Sequence, residues 1–462
     1  MTRSARLVVV AGIAALVMIA AACGSGTAKG AAPPVTTGGA GSGEQAATTV
    51  VTVPGVGTGV TPTEIKLGIS LIDYKCIESY VDSIYSDQET MWGYYIKNIN
   101  DHGGINGRSI VPDFKELCPV QSAAALSACT SFTEDDHVFA VIGSMYDTSG
   151  DAQLCIAKNH KTPLITDSLT QEMIDKAPPA FLLTPNITAD RQLKVVMSLV
   201  KSHHILDHKK VAVLTETDAT ARVKSVVDPT LTSIGVSQGS EAVLSISGAD
   251  TTAAQSQLAS FIEKWKTEHV NALILVGAGA SSKQFINEVK VAIPDMQLVA
   301  DTTSVEEGGQ DDVKAHIEPN PYDGIITAEG RIRLEHSKTP HFKYCNDIYK
   351  AATGKDLPLP NVVVKLANGK QNNIYGNAED ACSFLTMFQD IADRIGKNLN
   401  DTNWVNTVNN FGSIQVMNTD WASLHTGKYD ADDTYGLVAF DPKIPPIGEW
   451  KHITPTEDVS GS

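Results

Sequence analysis

The chain has 462 residues, 42% of them hydrophobic and 19% charged. That is ordinary globular composition with room for two or three domains, and it excludes a wholly disordered or fibrous protein. Asp and Glu total 53 against 36 Lys and Arg, for a net charge of −17. An acidic balance favours solubility and argues against a broad basic grip on nucleic acid.

Arg3 and Arg6 form a short basic start, and residues 7–22 form an uncharged apolar run. The run ends in Ala20-Ala21-Ala22-Cys23, followed by Gly24-Ser25-Gly26. Small residues before a Cys resemble the bacterial lipoprotein signal, with Ala20 where Leu is commoner. The expectation is a signal peptide over 1–22, removed on export, and lipidation of Cys23 as the new N-terminus. The mature chain would then sit lipid-anchored on the outer face of the cell membrane. No later apolar run reaches the roughly 18–20 residues that a membrane span needs. Residues 23–60 are rich in Gly, Ala, Thr, Val and Pro with almost no charge, so they read as a lipidated flexible tether.

From Thr61 the pattern alternates between strand and helix. Residues 65–71 read as a strand, and 86–100 as a helix with Met91, Tyr94, Tyr95 and Ile99 on one face, stopped by Gly103-Gly104. A strand over 109–114 and a helix over 120–132 follow. Then come a very apolar strand over 137–142, a short helix over 150–158 and a strand over 163–166. This βαβαβαβ run implies a parallel sheet with right-handed crossovers. A second series starts after Thr184-Pro185. Its helices are 189–202, 219–232, 252–266 and 281–291, and its strands are 211–214, 241–245, 272–276, 297–300 and 324–328. The chain returns to helices at 341–352 and 377–395 around a polar surface excursion at 361–373. Closing strands are expected at 435–440 and 450–453. The pattern describes two α/β lobes, the first interrupted by the second.

Residues 98–108, Asn-Ile-Asn-Asp-His-Gly-Gly-Ile-Asn-Gly-Arg, resemble the helix-to-strand turn of type I periplasmic binding proteins of the leucine/isoleucine/valine-binding family. Val141-Ile142-Gly143-Ser144 and Thr162-Pro163-Leu164-Ile165 are similar to its next segment, and residues 211–214 and 272–277 to apolar strands of its second lobe. The resemblance covers about 62–455. It implies an ABC transporter substrate-binding protein: two Rossmann-like lobes with parallel sheets, joined by a three-crossing hinge that closes on a small ligand. Crossings are expected near Thr184–Asn186, near Gly330 and at 414–418. Lobe one is then 62–185 plus 331–415, and lobe two 186–330 plus 416–455.

Seven cysteines fit an exported protein. Lipidating Cys23 leaves Cys76, Cys118, Cys129, Cys155, Cys345 and Cys382, six thiols with fifteen possible pairings, all in lobe one. A 2-1-3 strand order sets Cys76 beside Cys118 at the carboxyl edge and places the helices bearing Cys129 and Cys155 side by side. Cys345 and Cys382 lie on the two returning helices. The expected pairs are therefore Cys76–Cys118, Cys129–Cys155 and Cys345–Cys382.

In open α/β sheets, ligands sit beyond the carboxyl ends of the strands. Here that selects Ser144 and the loops at 144–148, 167–170, 215–220, 277–279 and 301–303. Binders of the resembled family hold a ligand carboxylate in lobe one with hydroxyls and backbone N–H groups, at positions that align with Asp147, Ser168 and Thr170. In lobe two a Tyr and an acidic residue, which receives the ammonium, align with Thr220 and Thr302, with Asp301 one place earlier. Asp147 replaces a Ser, and a carboxylate there repels a ligand carboxylate. The amino-acid clamp is thus incomplete, and the solute is either an amino acid held differently or another small polar compound such as an amide. Each of these Ser, Thr and Asp residues is equally suited to capping a helix.

Other constellations carry less. The Gly277-Ala278-Gly279 run has Ser where a dinucleotide site needs a third Gly or Ala. His203, His204 and His208 gather at a helix end, which the dipole favours. Asp430-Ala431-Asp432-Asp433 lacks the later ligands of a calcium loop and reads as a solvated turn. The acidic run 306–312 reads as an exposed loop. No catalytic residue, metal site or cofactor is expected. The functional expectation is an extracytoplasmic lipoprotein that captures a small polar ligand between its lobes and delivers it to an ABC permease. The alternative is a ligand-sensing or interaction module on the same fold, uncoupled from transport.

Overall fold

The structure, a computed structural model, describes residues 53–461 except positions 79, 80, 82, 148, 168, 246–251, 278–281, 304, 361, 363 and 418. The signal peptide, Cys23 and most of the tether lie outside the described residues. The chain divides into two units, a first lobe of 53–188 and 333–433 and a second of 189–332 and 434–461.

In the first lobe a five-stranded parallel sheet has the order β2-β1-β3-β4-β5. The strands are β1 (Glu64–Ile72), β2 (Ser109–Leu117), β3 (Ala140–Gly143), β4 (Leu164–Ile165) and β5 (Leu182–Leu183). Ile65, Leu67 and Ile69 of β1 are fully buried, as a central parallel strand covered on both faces requires. Helix α1 (Gln88–Asp101) buries Met91, Trp92, Tyr95, Ile96 and Ile99. Its C-terminal turn explains the Gly-Gly-Ile-Asn-Gly-Arg run. Gly104 has φ +65°, and a Cβ there would lie 2.0 Å from Arg108 O. Ile105 N donates to Arg108 O at 2.8 Å. Arg108 then ties the turn down, its Nε donating to Thr61 O at 2.7 Å and its Nη2 to Lys397 O at 2.8 Å.

Helices α2 (Ser122–Thr130), α3 (Pro340–Thr353), α4 (Ile374–Ile395) and α5 (Asp401–Asn409) complete this lobe. The stretch of α4 from Tyr375 to Phe388 is buried throughout. The polar excursion folds into two short strands: Val364–Lys365 pairs with Gln371–Asn372, which in turn pairs with Ser83–Ile84. Disulfides join Cys76 to Cys118, Cys129 to Cys155 and Cys345 to Cys382, all within this lobe.

The second lobe is built on β6 (Lys210–Glu216), β7 (Ala242–Leu244), β8 (Ala272–Val276), β9 (Gln297–Ala300) and β10 (Ile326–Glu329). β8 lies between β6 and β9, and β9 pairs β10, all parallel. β11 (Thr434–Asp441) and β12 (Glu449–His452) close the sheet antiparallel beyond β10. Helices α6 (Ala189–Ser202), α7 (Thr252–Glu268), α8 (Lys283–Ala292) and α9 (Val305–Lys314) accompany it, around a core that includes Trp265, Phe285, Tyr322, Phe440 and Trp450.

Three expectations are corrected. Residues 53–60 are not free tether: Val53 N and O bond Asn403 at 2.8 Å each, and Gly57 N donates to Leu399 O at 2.8 Å. The third crossing falls at 433–434 rather than 414–418. Residues 416–433 stay with the first lobe because Ser423–Leu424 pairs with Gly412–Ser413 and Ala431 N donates to Thr184 O at 2.9 Å. The acidic run is not an exposed loop but part of α9, with Glu306 and Asp312 buried and Lys283 Nζ 2.6 Å from Asp312 Oδ1.

Candidate functional site

The carboxyl ends of the parallel strands carry the polar groups of each lobe. In the first lobe the exit of β3 is set by Gly143. Its φ is +104°, and a Cβ would stand 2.4 Å from Ser70 O, so only glycine lets the chain turn this close to β1. Ser144 N then donates to Ser70 O at 2.9 Å, and Ser70 Oγ to Ser144 O at 2.7 Å. This fixes Ser144 Oγ, which donates to Asp167 Oδ2 at 3.0 Å. Tyr146 Oη donates to the same oxygen at 2.7 Å, and Thr166 Oγ1 to Asp167 Oδ1 at 3.3 Å. Asp167 is buried, and burial pushes its carboxyl up to about 6 against the pull of the three hydroxyls.

Asp147 and Thr170 serve the backbone. Asp147 accepts from Ala152 N at 3.0 Å and from Ser149 Oγ and N, holding the start of the helix at Asp151–Leu154. Burial pushes its carboxyl up, but these hydrogen bonds outweigh that and hold it below the usual range. Thr170 is exposed and caps the helix at Gln171–Lys176 by accepting from Met173 N at 3.2 Å. Ser168 lies outside the described residues.

In the second lobe the loops after β6, β8 and β9 meet. Gly277, the first residue past β8, has φ +101° and sits against Ala219 and Glu216, which a Cβ would approach at 3.3 and 3.6 Å. Its N–H donates to Asp301 Oδ2 at 3.0 Å. Arg222 Nη1 lies 3.5 Å from that same oxygen. Asp301 is buried, and its Oδ1 has no hydrogen-bond partner. Burial raises its carboxyl, opposed by the Arg222 charge and the Gly277 N–H. Thr220 Oγ1 donates to Thr217 O at 2.8 Å within its own turn. Thr302 is half-buried beside Asp301.

The structure therefore joins Ser144 to Asp167 and Asp301 to Arg222, and gives Asp147, Thr170 and Thr220 local backbone roles. Tyr146 and Asp167 lie in the loops 144–148 and 167–170 that the sequence selects but were not singled out there, and Arg222 lies just past the loop at 215–220. Arg222 carries no sequence signal, because it reaches Asp301 across the intervening loop after β8.

Two groups among the described residues have metal-ligand spacing: Cys129, Cys155 and His160, and His341, Cys345 and Cys382. Both are built on disulfide sulfurs, which offer no thiolate. His203 Nε2 pairs with Glu457 at 2.6 Å and His204 with Asp207 at 3.0 Å, so these two histidines serve different carboxylates. The acidic turn at 430–433 is not solvated: Asp430, Asp432 and Asp433 are buried, and Lys428 Nζ stands 3.0 Å from Asp433 Oδ1. Asp430 Oδ2 accepts from Thr188 N and Oγ1 at 3.0 and 3.2 Å. No described helix is long and apolar enough to cross a membrane.

The profile of the family described as periplasmic binding proteins matches residues 93–361, more than half of the chain. No curated protein matches. Solved structures do. A solute-binding protein of an ABC transporter from R. palustris, in complex with 4-hydroxybenzoate, is 13% identical with a TM-score of 0.57, over 86% of this chain and 97% of that one. A fatty acid ABC transporter substrate-binding protein from Thermomonospora curvata is 14% identical with a TM-score of 0.55, over 88% and 95%. An ABC transporter substrate-binding protein from Desulfitobacterium hafniense, complexed with Leu, is 11% identical with a TM-score of 0.58, over 84% and 100%. At these identities the likeness is one of fold.

Proposed function

Because the chain belongs to the periplasmic binding protein family, we propose that it is an exported, lipid-anchored receptor. In this reading it captures a small polar solute with the carboxyl-edge loops of its lobes and hands it to an ABC permease. The observation that carries the reading is the set of polar side chains at the carboxyl ends of parallel strands: the buried Ser144, Tyr146 and Asp167 in one lobe, and the buried Asp301 with the half-buried Arg222 in the other. Such groups fix the orientation of a small ligand. The fold neighbours hold 4-hydroxybenzoate, Leu and, by name, a fatty acid, so the fold does not select the solute class. The reading assigns no catalysis and no cofactor. It keeps Cys23 as the lipidated residue and the outer face of the membrane as the location.

A thermal-shift screen of the oxidised protein against amino acids, amides, polyamines, aromatic acids and sugars tests it. Ligand at about a hundred times its Kd adds roughly 2.7 kcal/mol to the stability. A rise of several degrees from one chemical class is expected. A cooperative melt that no class moves would count against transport and favour the interaction-module alternative. Cys23→Ala should release the protein from the membrane fraction while leaving it exported, and retention in the membrane would contradict the anchor.

A further inference from the structure

We infer that Arg222 is the ligand-recognising cation of the second lobe, and that the solute carries a carboxylate; this refinement rests on the solute-receptor reading above. Arg222 belongs to the helical turn after β6, while Asp301 follows β9. The sheet order sets β8 between β6 and β9, so the two side chains meet over the end of β8. Gly277 stands at that end, and its φ of +101° favours glycine there. The Arg222 side chain is 27% exposed, and among the described residues its one charged contact is Asp301 Oδ2 at 3.5 Å. That separation makes an ion pair, not an aligned hydrogen bond.

A guanidinium has five N–H donors in a planar fork that matches a carboxylate. Asp301 is buried and fixed by the Gly277 N–H. It therefore holds the Arg222 charge at the carboxyl edge while leaving most of the fork unfilled. The pair is neutral as it stands. A ligand carboxylate would satisfy the fork and be held by charge-assisted hydrogen bonds. Asp301 Oδ1 is itself buried, so the group that faces a ligand is the partly exposed Arg222 side chain, which offers an ammonium no acceptor. The arrangement therefore favours acids over amines.

The test uses the full oxidised chain and a set of aliphatic, aromatic and amino acids, each paired with its primary amide and its amine counterpart, for example 4-hydroxybenzoate, 4-hydroxybenzamide and 4-hydroxybenzylamine. At least one acid should raise the melting temperature and titrate with measurable affinity, while its amide binds at least tenfold more weakly and its amine not at all. Arg222→Gln should weaken the acid at least tenfold and narrow the gap between acid and amide, with Arg222→Lys intermediate. The acid–amide contrast in the unaltered protein keeps the inference testable even if Arg222→Gln fails to fold. An amide or amine that binds as tightly as its acid, or an Arg222→Gln protein that binds the acid within twofold of the original, overturns the role of Arg222 and leaves the receptor reading standing. Silence of every acid overturns the inference alone, and silence that extends to the amides, polyamines and sugars of the wider screen overturns the receptor reading with it.

Discussion

Tyr146 Oη donates a 2.7 Å hydrogen bond to the buried carboxylate of Asp167, the oxygen that Ser144 Oγ also reaches. Burial lifts that carboxyl to about 6, above the 3.8 expected of an unfolded chain. The folded state thus binds the proton more tightly than the unfolded one. The contribution to stability is present in full below about pH 4 and is lost as pH rises through 6, by about 3 kcal/mol at most. Asp167→Asn should remove this fall, so the difference in unfolding free energy between variant and parent should change between pH 4 and 6 and be flat above 7. A constant difference across that window would contradict the account of Asp167. Tyr146→Phe removes a hydroxyl that favours the ionised form and should move the midpoint of the window upward.

His341 works in the opposite sense. Its ring is buried against Cys382 Sγ at 4.0 Å and Thr386 Oγ1 at 3.4 Å, and burial lowers its pKa from 6.5 to about 4. The unfolded chain takes up this proton first, so stability is present above pH 6.5 and is lost as pH falls toward 4, again by about 3 kcal/mol. His341→Gln should flatten the acid limb of the stability profile. An unchanged acid limb would show that the ring is not held neutral.

Gly143 and Gly103 separate sterics from backbone strain. Both have strongly positive φ, +104° and +99°, but a Cβ meets Ser70 O at 2.4 Å in the first and nothing within 4 Å in the second. Gly143→Ala should cost roughly 2–4 kcal/mol in urea unfolding, and Gly103→Ala about 1–2 kcal/mol. Equal costs would contradict the claim that close approach to β1 fixes the exit of β3.

The three disulfides close loops of 42, 26 and 37 residues within the first lobe. On loop-closure grounds each contributes about 3–4 kcal/mol. Replacing Cys129 and Cys155 by Ala should lower the unfolding free energy by that amount with a cooperative transition retained. A loss below about 1 kcal/mol would contradict the bridge's role.

Much of the fold was legible because parallel buried strands read as short apolar runs between helical periods. The expected strand at 272–276 is the observed β8, and that at 297–300 is β9. Strand order pointed to two of the disulfide pairs, and the two returning helices to Cys345–Cys382. The third crossing was misplaced because residues 416–433 carry no helical or strand period, and their attachment to the first lobe rests on long-range bonds such as Ala431 N to Thr184 O. The run Asp430–Asp433 looked solvated because its counter-charge, Lys428, and its backbone partner Thr188 become neighbours only on folding. At the site, sequence picked the right loops but not the right roles. Asp147 and Thr170 fell to helix capping, which Asp and Thr serve well, and the cation beside Asp301 lay 79 positions away in the chain.

The measurement that tests the central claim most directly is a calorimetric titration of the oxidised protein with the solute class that the thermal screen selects, followed by recovery of the ligand. The account predicts saturable one-to-one binding and return of the ligand chemically unchanged. Consumption of the ligand, or no saturable heat from any class that moved the melt, would contradict a receptor that captures and releases its solute.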